Sequence, residues 1–134
     1  MIEWRESYST GFFNLDEQHK HLFEYCNDLE KGLNRGSASG QMMERALMFL
    51  GNYVKYHFGQ EETCMHKHEC PISNKNKLAH EKFIQAFKTF QRTISEDGDN
   101  EGILRGLHHF LESWLVEHIC KIDVQIKQCV LKSR

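Results

Sequence analysis

The chain has 134 residues, including nine histidines, five cysteines and a single proline, and a formal net charge of −2. That length suits one domain, spanning 1–134, with a core that needs no staples, and the scattered lysines and arginines exclude the broad basic face that nucleic acid requires. The charged start Met1-Ile2-Glu3-Trp4-Arg5-Glu6 lacks a signal peptide's apolar stretch, and no apolar run approaches the roughly 20 residues that span a bilayer, so a cytoplasmic protein with no membrane partner is expected.

Residues 1–14, with Trp4, Tyr8, Phe12 and Phe13, read as an aromatic arm packed on a helical bundle. The first helical stripe, over about 15–33, is Leu15, His19, Leu22, Phe23, Cys26, Leu29 and Leu33, at spacings of three and four. Asn34 to Gly40 is a loop. The second stripe, over about 41–67, is Met43, Leu47, Leu50, Val54, His57, Glu61, Cys64 and Met65. Cys70-Pro71-Ile72 ends it, and Ser73 is an expected N-cap. The third stripe, over about 74–95, is Asn76, His80, Phe83, Phe87, Phe90 and Ile94, with a turn at Asp97-Gly98-Asp99-Asn100 after it. The fourth, over about 102–131, is Leu104, Leu107, Leu111, Trp114, Leu115, His118, Ile122, Ile126 and Val130. Four amphipathic helices on short connections predict an all-α, up-down-up-down four-helix bundle. The odd cysteine count, without any Cys-x-x-Cys pair, predicts free thiols rather than a disulfide framework or a zinc ribbon.

His19, His57, His80 and His118 all fall on stripes that face the core. One histidine there is usually a satisfied packing residue. Two carboxylates accompany these four, however. Glu61 follows His57 by four residues, about 40° round the helix, so both point the same way. Asp123 follows His118 by five, about 140° round an ideal helix, which fits either a pair flanking one site or a local π-bulge that brings them together. A buried carboxylate costs several kcal/mol unless cations or donors answer it. No lysine or arginine falls on the stripes beside these two. A metal pair would answer both carboxylates and use the imidazoles, with iron, manganese or zinc all suited to such ligands. His21, His66, His68, His108 and His109 lie off the stripes or too far along the helices and read as ordinary residues, Glu62 reads as a surface charge, and Cys120 as a half-exposed packing residue.

Over nearly its whole length the chain resembles the hemerythrins, and more closely the bacterial hemerythrin domains. The resemblance rests on Trp4, Tyr8-Ser9-Thr10-Gly11, Leu15-Asp16-Glu17-Gln18-His19-Lys20, His57-Phe58-Gly59-Gln60-Glu61-Glu62, Pro71, His80-Glu81-Lys82-Phe83, and Trp114-Leu115-Val116-Glu117-His118-Ile119 through Asp123. It implies two iron ions with an oxo or hydroxo bridge. His19 and His57 would ligate one iron, His80 and His118 the other, and Glu61 and Asp123 would span both. It also implies a dioxygen pocket lined by Phe58, Trp114, Leu115 and Ile119. The family's third motif is a histidine pair spaced by four, the first of them five residues after the proline. Asn76 stands at that first position, with a carbonyl that could ligate weakly or hydrogen-bond a water or anion. The resulting expectation is dioxygen (or another small ligand) bound and sensed at a non-haem di-iron centre, as the input to a fused or associated signalling output domain. A standalone carrier or scavenger, and a di-iron oxidase or peroxidase, are the alternatives; an enzyme is not the leading reading.

Overall fold

The computed structural model describes residues 2–34, 40–97, 101–120 and 124–132. A 3-10 turn at Glu6–Tyr8 precedes α1 (Phe13–Asn34), α2 (Gly40–Lys67), α3 (Ser73–Asp97), α4 (Glu101–His118) and α5 (Val124–Lys132). The architecture is the expected all-α four-helix bundle, with no strand among the described residues. α1 packs on α2 and α4, and α3 packs on α2 and α4, closing a ring. Cross-contacts fix the directions. Tyr53 meets Gln18 while Tyr25 meets Arg45, and Phe58 meets His80 while Gly51 faces Phe87, so both neighbours of α2 run antiparallel to it.

The stripes are the core. Leu22, Phe23, Leu29 and Leu33 of α1 meet Leu50, Val54 and Phe58 of α2, Phe83 and Phe87 of α3, and Leu104, Leu107, Leu111 and Leu115 of α4. Each such side chain contributes about 1.5–3 kcal/mol on burial. Met43, Leu47, Ile94 and Val130 are helical, but their side chains are not described; Ile122, with the expected loop at 35–39 and turn at 98–100, lies outside the described residues.

The arm docks along α1. Asn27 pairs with both backbone groups of Ile2, at 3.0 and 2.8 Å. Trp4 and Tyr8 pack on Phe23, with ring centroids 5.9 and 6.1 Å away. The Asp16 carboxylate accepts from the Ser9 hydroxyl and from the Thr10 amide and hydroxyl at 2.6–2.9 Å, pinning the arm to the first turn of α1. Phe13 corrects the expected arm: it opens α1 and is 75% exposed.

Three further expectations change. Ser73 is the first helical residue rather than the cap, because the Ile72 carbonyl already accepts the Asn76 N–H at 2.9 Å. The fourth helix departs from regular α winding: that winding stops at His118, Ile119 and Cys120 are π-wound, and beyond 121–123, which lie outside the described residues, α5 runs from Val124. Cys70 and Cys129, expected as free thiols, form a disulfide that ties the α2–α3 turn to α5. Their Cα atoms lie 5.5 Å apart, which suits a disulfide's span. Cys26, Cys64 and Cys120 keep their thiols outside any disulfide.

Candidate metal centre

Within the largely apolar core one level gathers most of the fully buried polar side chains among the described residues. There His19 of α1, His57 and Glu61 of α2, and Asn76 and His80 of α3 are all buried, together with His118 at the end of α4. The one-turn spacing of His57 and Glu61 places both on the inner face of α2, and that of Asn76 and His80 does the same on α3. Ordinary helical winding thus delivers all six groups inward.

Glu61 organises them. Its Oε2 lies 3.2 Å from His19 Nε2 and 3.1 Å from His57 Nε2, and those two nitrogens are 3.1 Å apart. Its Oε1 lies 3.1 Å from His80 Nε2 and 3.5 Å from His118 Nε2, themselves 3.1 Å apart. One carboxylate therefore closes two triangles of ligand atoms, each made of two imidazole nitrogens and one oxygen. Cis ligands at about 2.1 Å from a metal stand about 3.0 Å from one another, so the first triangle has the edge lengths of one face of an octahedron, and the second has two such edges with a longer one, 3.5 Å, at His118.

Proton bookkeeping favours a cation in the first triangle. His57 Nδ1 sits 2.7 Å from Gln18 Oε1, which only accepts, so Nδ1 carries the proton. In the neutral ring Nε2 then presents a lone pair, and it meets the Glu61 carboxylate with another. A metal ion satisfies both. Without a metal, the cation has to be the imidazole itself: burial raises the Glu61 pKa, but a doubly protonated His57 beside it, with hydrogen bonds from His118, His19 and His57, outweighs burial and holds the carboxyl well below the usual carboxylate range. Among the described residues the ion-pair partners of Glu61 are all histidines.

Asn76 is fully buried in the second triangle's wall, as its stripe position predicts, but with its amide nitrogen turned inward. That nitrogen donates to Glu61 Oε1 and contacts Met65 Sδ at 3.2 Å. The carbonyl oxygen, expected as a weak ligand, points away and has no hydrogen-bond partner. Glu61 sets this orientation, because a carboxylate accepts from an NH2 group and repels a carbonyl.

Around the second triangle, Phe58 stacks on His80 with centroids 3.7 Å apart, and Trp114 stacks on His118 at 4.4 Å. Leu115 and Ile119 are fully buried in the same core. A cavity of about 350 Å³ between α3 and α4 reaches His118 and Trp114, with Lys75, Lys82 and Glu117 in its lining. Asp123 lies outside the described residues. Ile119 and Cys120, between His118 and Asp123, have the π winding that their five-residue spacing allows.

Two contributors lie off the apolar stripes. Gln18, beside His19, orients His57, and its own carbonyl accepts from the Tyr53 hydroxyl at 2.9 Å. Glu62, expected as a plain surface charge, is half-buried with Oε2 3.5 Å from His80 Nδ1. Their signal in the sequence is chemical rather than periodic: a ligating histidine wants an acceptor for its outer nitrogen, and both are polar residues directly beside a ligand.

The chain matches the model of the hemerythrin HHE cation-binding domain over residues 10–129. It is 35% identical to a hemerythrin-like protein of Naegleria gruberi over 126 residues, covering 94% of this chain and 91% of that one. It is 30% identical to the bacteriohemerythrin of Methylococcus capsulatus, covering 97% of each. Among solved structures it superposes on a wild-type hemerythrin with a TM-score of 0.81 at 26% identity, over 97% of this chain and 98% of the other.

Proposed function

Because the chain belongs to the hemerythrin family, whose members bind dioxygen at a non-haem di-iron centre, we propose that His19 and His57 hold one iron, that His80 and His118 hold the other, and that Glu61 bridges them. Asp123 is assigned as the second bridging carboxylate. The observation that carries this reading is the pair of triangles sharing Glu61, with five of their six edges at 3.1–3.2 Å, close to the spacing of cis metal ligands.

A ferrous pair, when bound, supplies the two electrons needed to capture dioxygen, and an oxo or hydroxo bridge completes it. The protein's part is to hold ligands, fix tautomers and exclude water. Gln18 keeps the His57 proton on Nδ1 and so leaves the Nε2 lone pair to ligate. Phe58 and Trp114 clamp the imidazoles of His80 and His118 by stacking. With Leu115 and Ile119 they give the centre apolar walls, and we assign these four residues to the ligand pocket. The α3–α4 cavity is its entrance for dioxygen or another small neutral or anionic ligand.

Asn76 decides the use. With asparagine there, each triangle supplies two imidazoles, so neither metal is shielded by a third nitrogen donor. A cation held in the second triangle would reverse the preference that turns the Asn76 nitrogen inward, and its oxygen would then offer a weak, exchangeable donor. Such a centre oxidises readily. That favours sensing, coupled to an associated output domain, over long-lived carriage.

The same substitution supports a second reading, a di-iron oxidase. Oxygen uptake by the reduced, iron-loaded protein separates the two. A sensor or carrier takes up one dioxygen per iron pair and stops, even with reductant present; an oxidase consumes oxygen until reductant is exhausted.

A further inference from the structure

A second group of ligand atoms lies between α1 and α4, away from the Glu61 centre. One atom each from Cys26, His108 and Glu112 falls within 4.8 Å of the other two. Cys26 is fully buried on α1, seven residues beyond His19. His108 is ten residues before His118 on α4. Those separations correspond to about 10 and 15 Å along the helices, in both cases toward the α3–α4 connection, so the two groups share no atom. His108, expected to be an ordinary residue, has only 14% of its side chain exposed.

The buried polar atoms here have an ion-pair contact with each other but no hydrogen bond. His108 Nε2 and Glu112 Oε2 are both shielded from solvent and neither makes a hydrogen bond. They stand 3.5 Å apart, one helical turn from each other, on the side of α4 where Cys26 approaches. Two ligands bound at tetrahedral angles, about 2.1 Å from a metal, are about 3.4 Å apart, which is the spacing found. The buried thiol faces negative charge: burial first, then the Glu112 and Glu30 carboxylates, push the Cys26 pKa up to about 12. A divalent cation among these groups would reverse that environment and release the thiol proton to solvent.

We propose that Cys26, His108 and Glu112 form a second, mononuclear site for a thiophilic divalent cation, zinc above all. Thiolate, imidazole and carboxylate together are the donor set zinc takes in proteins, and three protein ligands leave its fourth position open. The Glu112 side chain is 39% exposed, which gives the ion a path from solvent. The site is independent of the reading of the Glu61 centre.

Cobalt(II) is the probe, because a cobalt–thiolate bond absorbs strongly in the near ultraviolet and an imidazole–carboxylate site does not. The full chain, loaded with iron at the Glu61 centre, is titrated with Co²⁺ and then with competing Zn²⁺. The expected result is one saturable thiolate–cobalt band per chain, displaced by zinc. It weakens by more than about a hundredfold in affinity in His108→Asn, beyond what loss of a ligand's supporting partner alone costs. Cys26→Ala abolishes it, and the α-helical circular dichroism of His108→Asn shows that the fold survives. Absence of the band, or its survival in folded His108→Asn, or its loss in Cys64→Ser or Cys120→Ser instead, overturns the proposal.

Discussion

Gln18 shows how much of the metal centre rests on a residue that touches no metal. It fixes the His57 tautomer through a 2.7 Å hydrogen bond. Supporting partners of this kind are worth about 10–100-fold in metal affinity. Gln18→Leu is therefore expected to lower iron affinity by about that factor in a chelator competition, with little change in helix content. Asn76 makes the complementary prediction. Asn76→His adds a nitrogen donor to the second triangle and is expected to slow autoxidation of the reduced, iron-loaded protein and to weaken azide binding. No change in either would separate Asn76 from the metal. A third prediction concerns pH. Burial raises the Cys26 thiol to about 12 and, largely through burial as well, the Tyr53 hydroxyl to about 12. Both groups are neutral in folded and unfolded chains below about pH 8. Above that the unfolded chain ionises first, so folding stability is present at neutral pH and falls as pH rises through about 9 to 12. Urea unfolding of the metal-free protein across that range checks it, and a flat profile contradicts it.

The helices were largely legible because their stripes are unbroken, whereas what joins them was not. Leu15, His19, Leu22, Phe23, Cys26, Leu29 and Leu33 are all buried, as spacings of three and four require. The Cys70–Cys129 disulfide spans 59 positions and carries no periodic signal, since it depends on where the far end of the bundle returns. The change of winding after His118 was half-visible. Apolar periodicity continues smoothly across it, and only the awkward spacing of His118 and Asp123 hinted at π winding. The end of α2 was disguised too. Cys70 N–H bonds the Met65 carbonyl and Glu69 N–H that of His66, a Schellman closure that puts Glu69 at φ 51° where glycine is usual. Left-handed backbone costs a non-glycine residue about 1–2 kcal/mol, and glycine loses about half of that gain to chain entropy. Glu69→Gly is thus expected to raise stability by about 0.5–1 kcal/mol in urea unfolding. The disulfide matters more. Closing a loop of this length is worth up to about 4 kcal/mol by chain entropy. Cys70→Ser with Cys129→Ser should therefore lower the urea midpoint clearly, and an unchanged midpoint would mean that packing of Met65 and Ile126 already fixes α5.

Across the whole molecule the bundle works as a frame that brings four helices to one polar level inside an apolar core. The sequence revealed that level because four histidines and Glu61 occupy positions where leucine would otherwise be at home. It could not reveal how Glu61 divides its two oxygens between the pairs, which depends on α1 packing beside α2 at one oxygen and α4 packing beside α3 at the other. The same geometry explains why the centre should stand or fall as a unit. Removing Glu61 takes one ligand from each triangle, so neither half keeps its face. The most direct test is iron stoichiometry with a visible spectrum, measured on protein reconstituted anaerobically and then exposed to air, for the natural chain and for Glu61→Ala. Two irons per chain and a coloured product are predicted for the first, and loss of both irons together for the second. A natural chain that stays colourless and cannot take up two irons, or a Glu61→Ala variant that keeps both, would contradict a di-iron centre organised by Glu61.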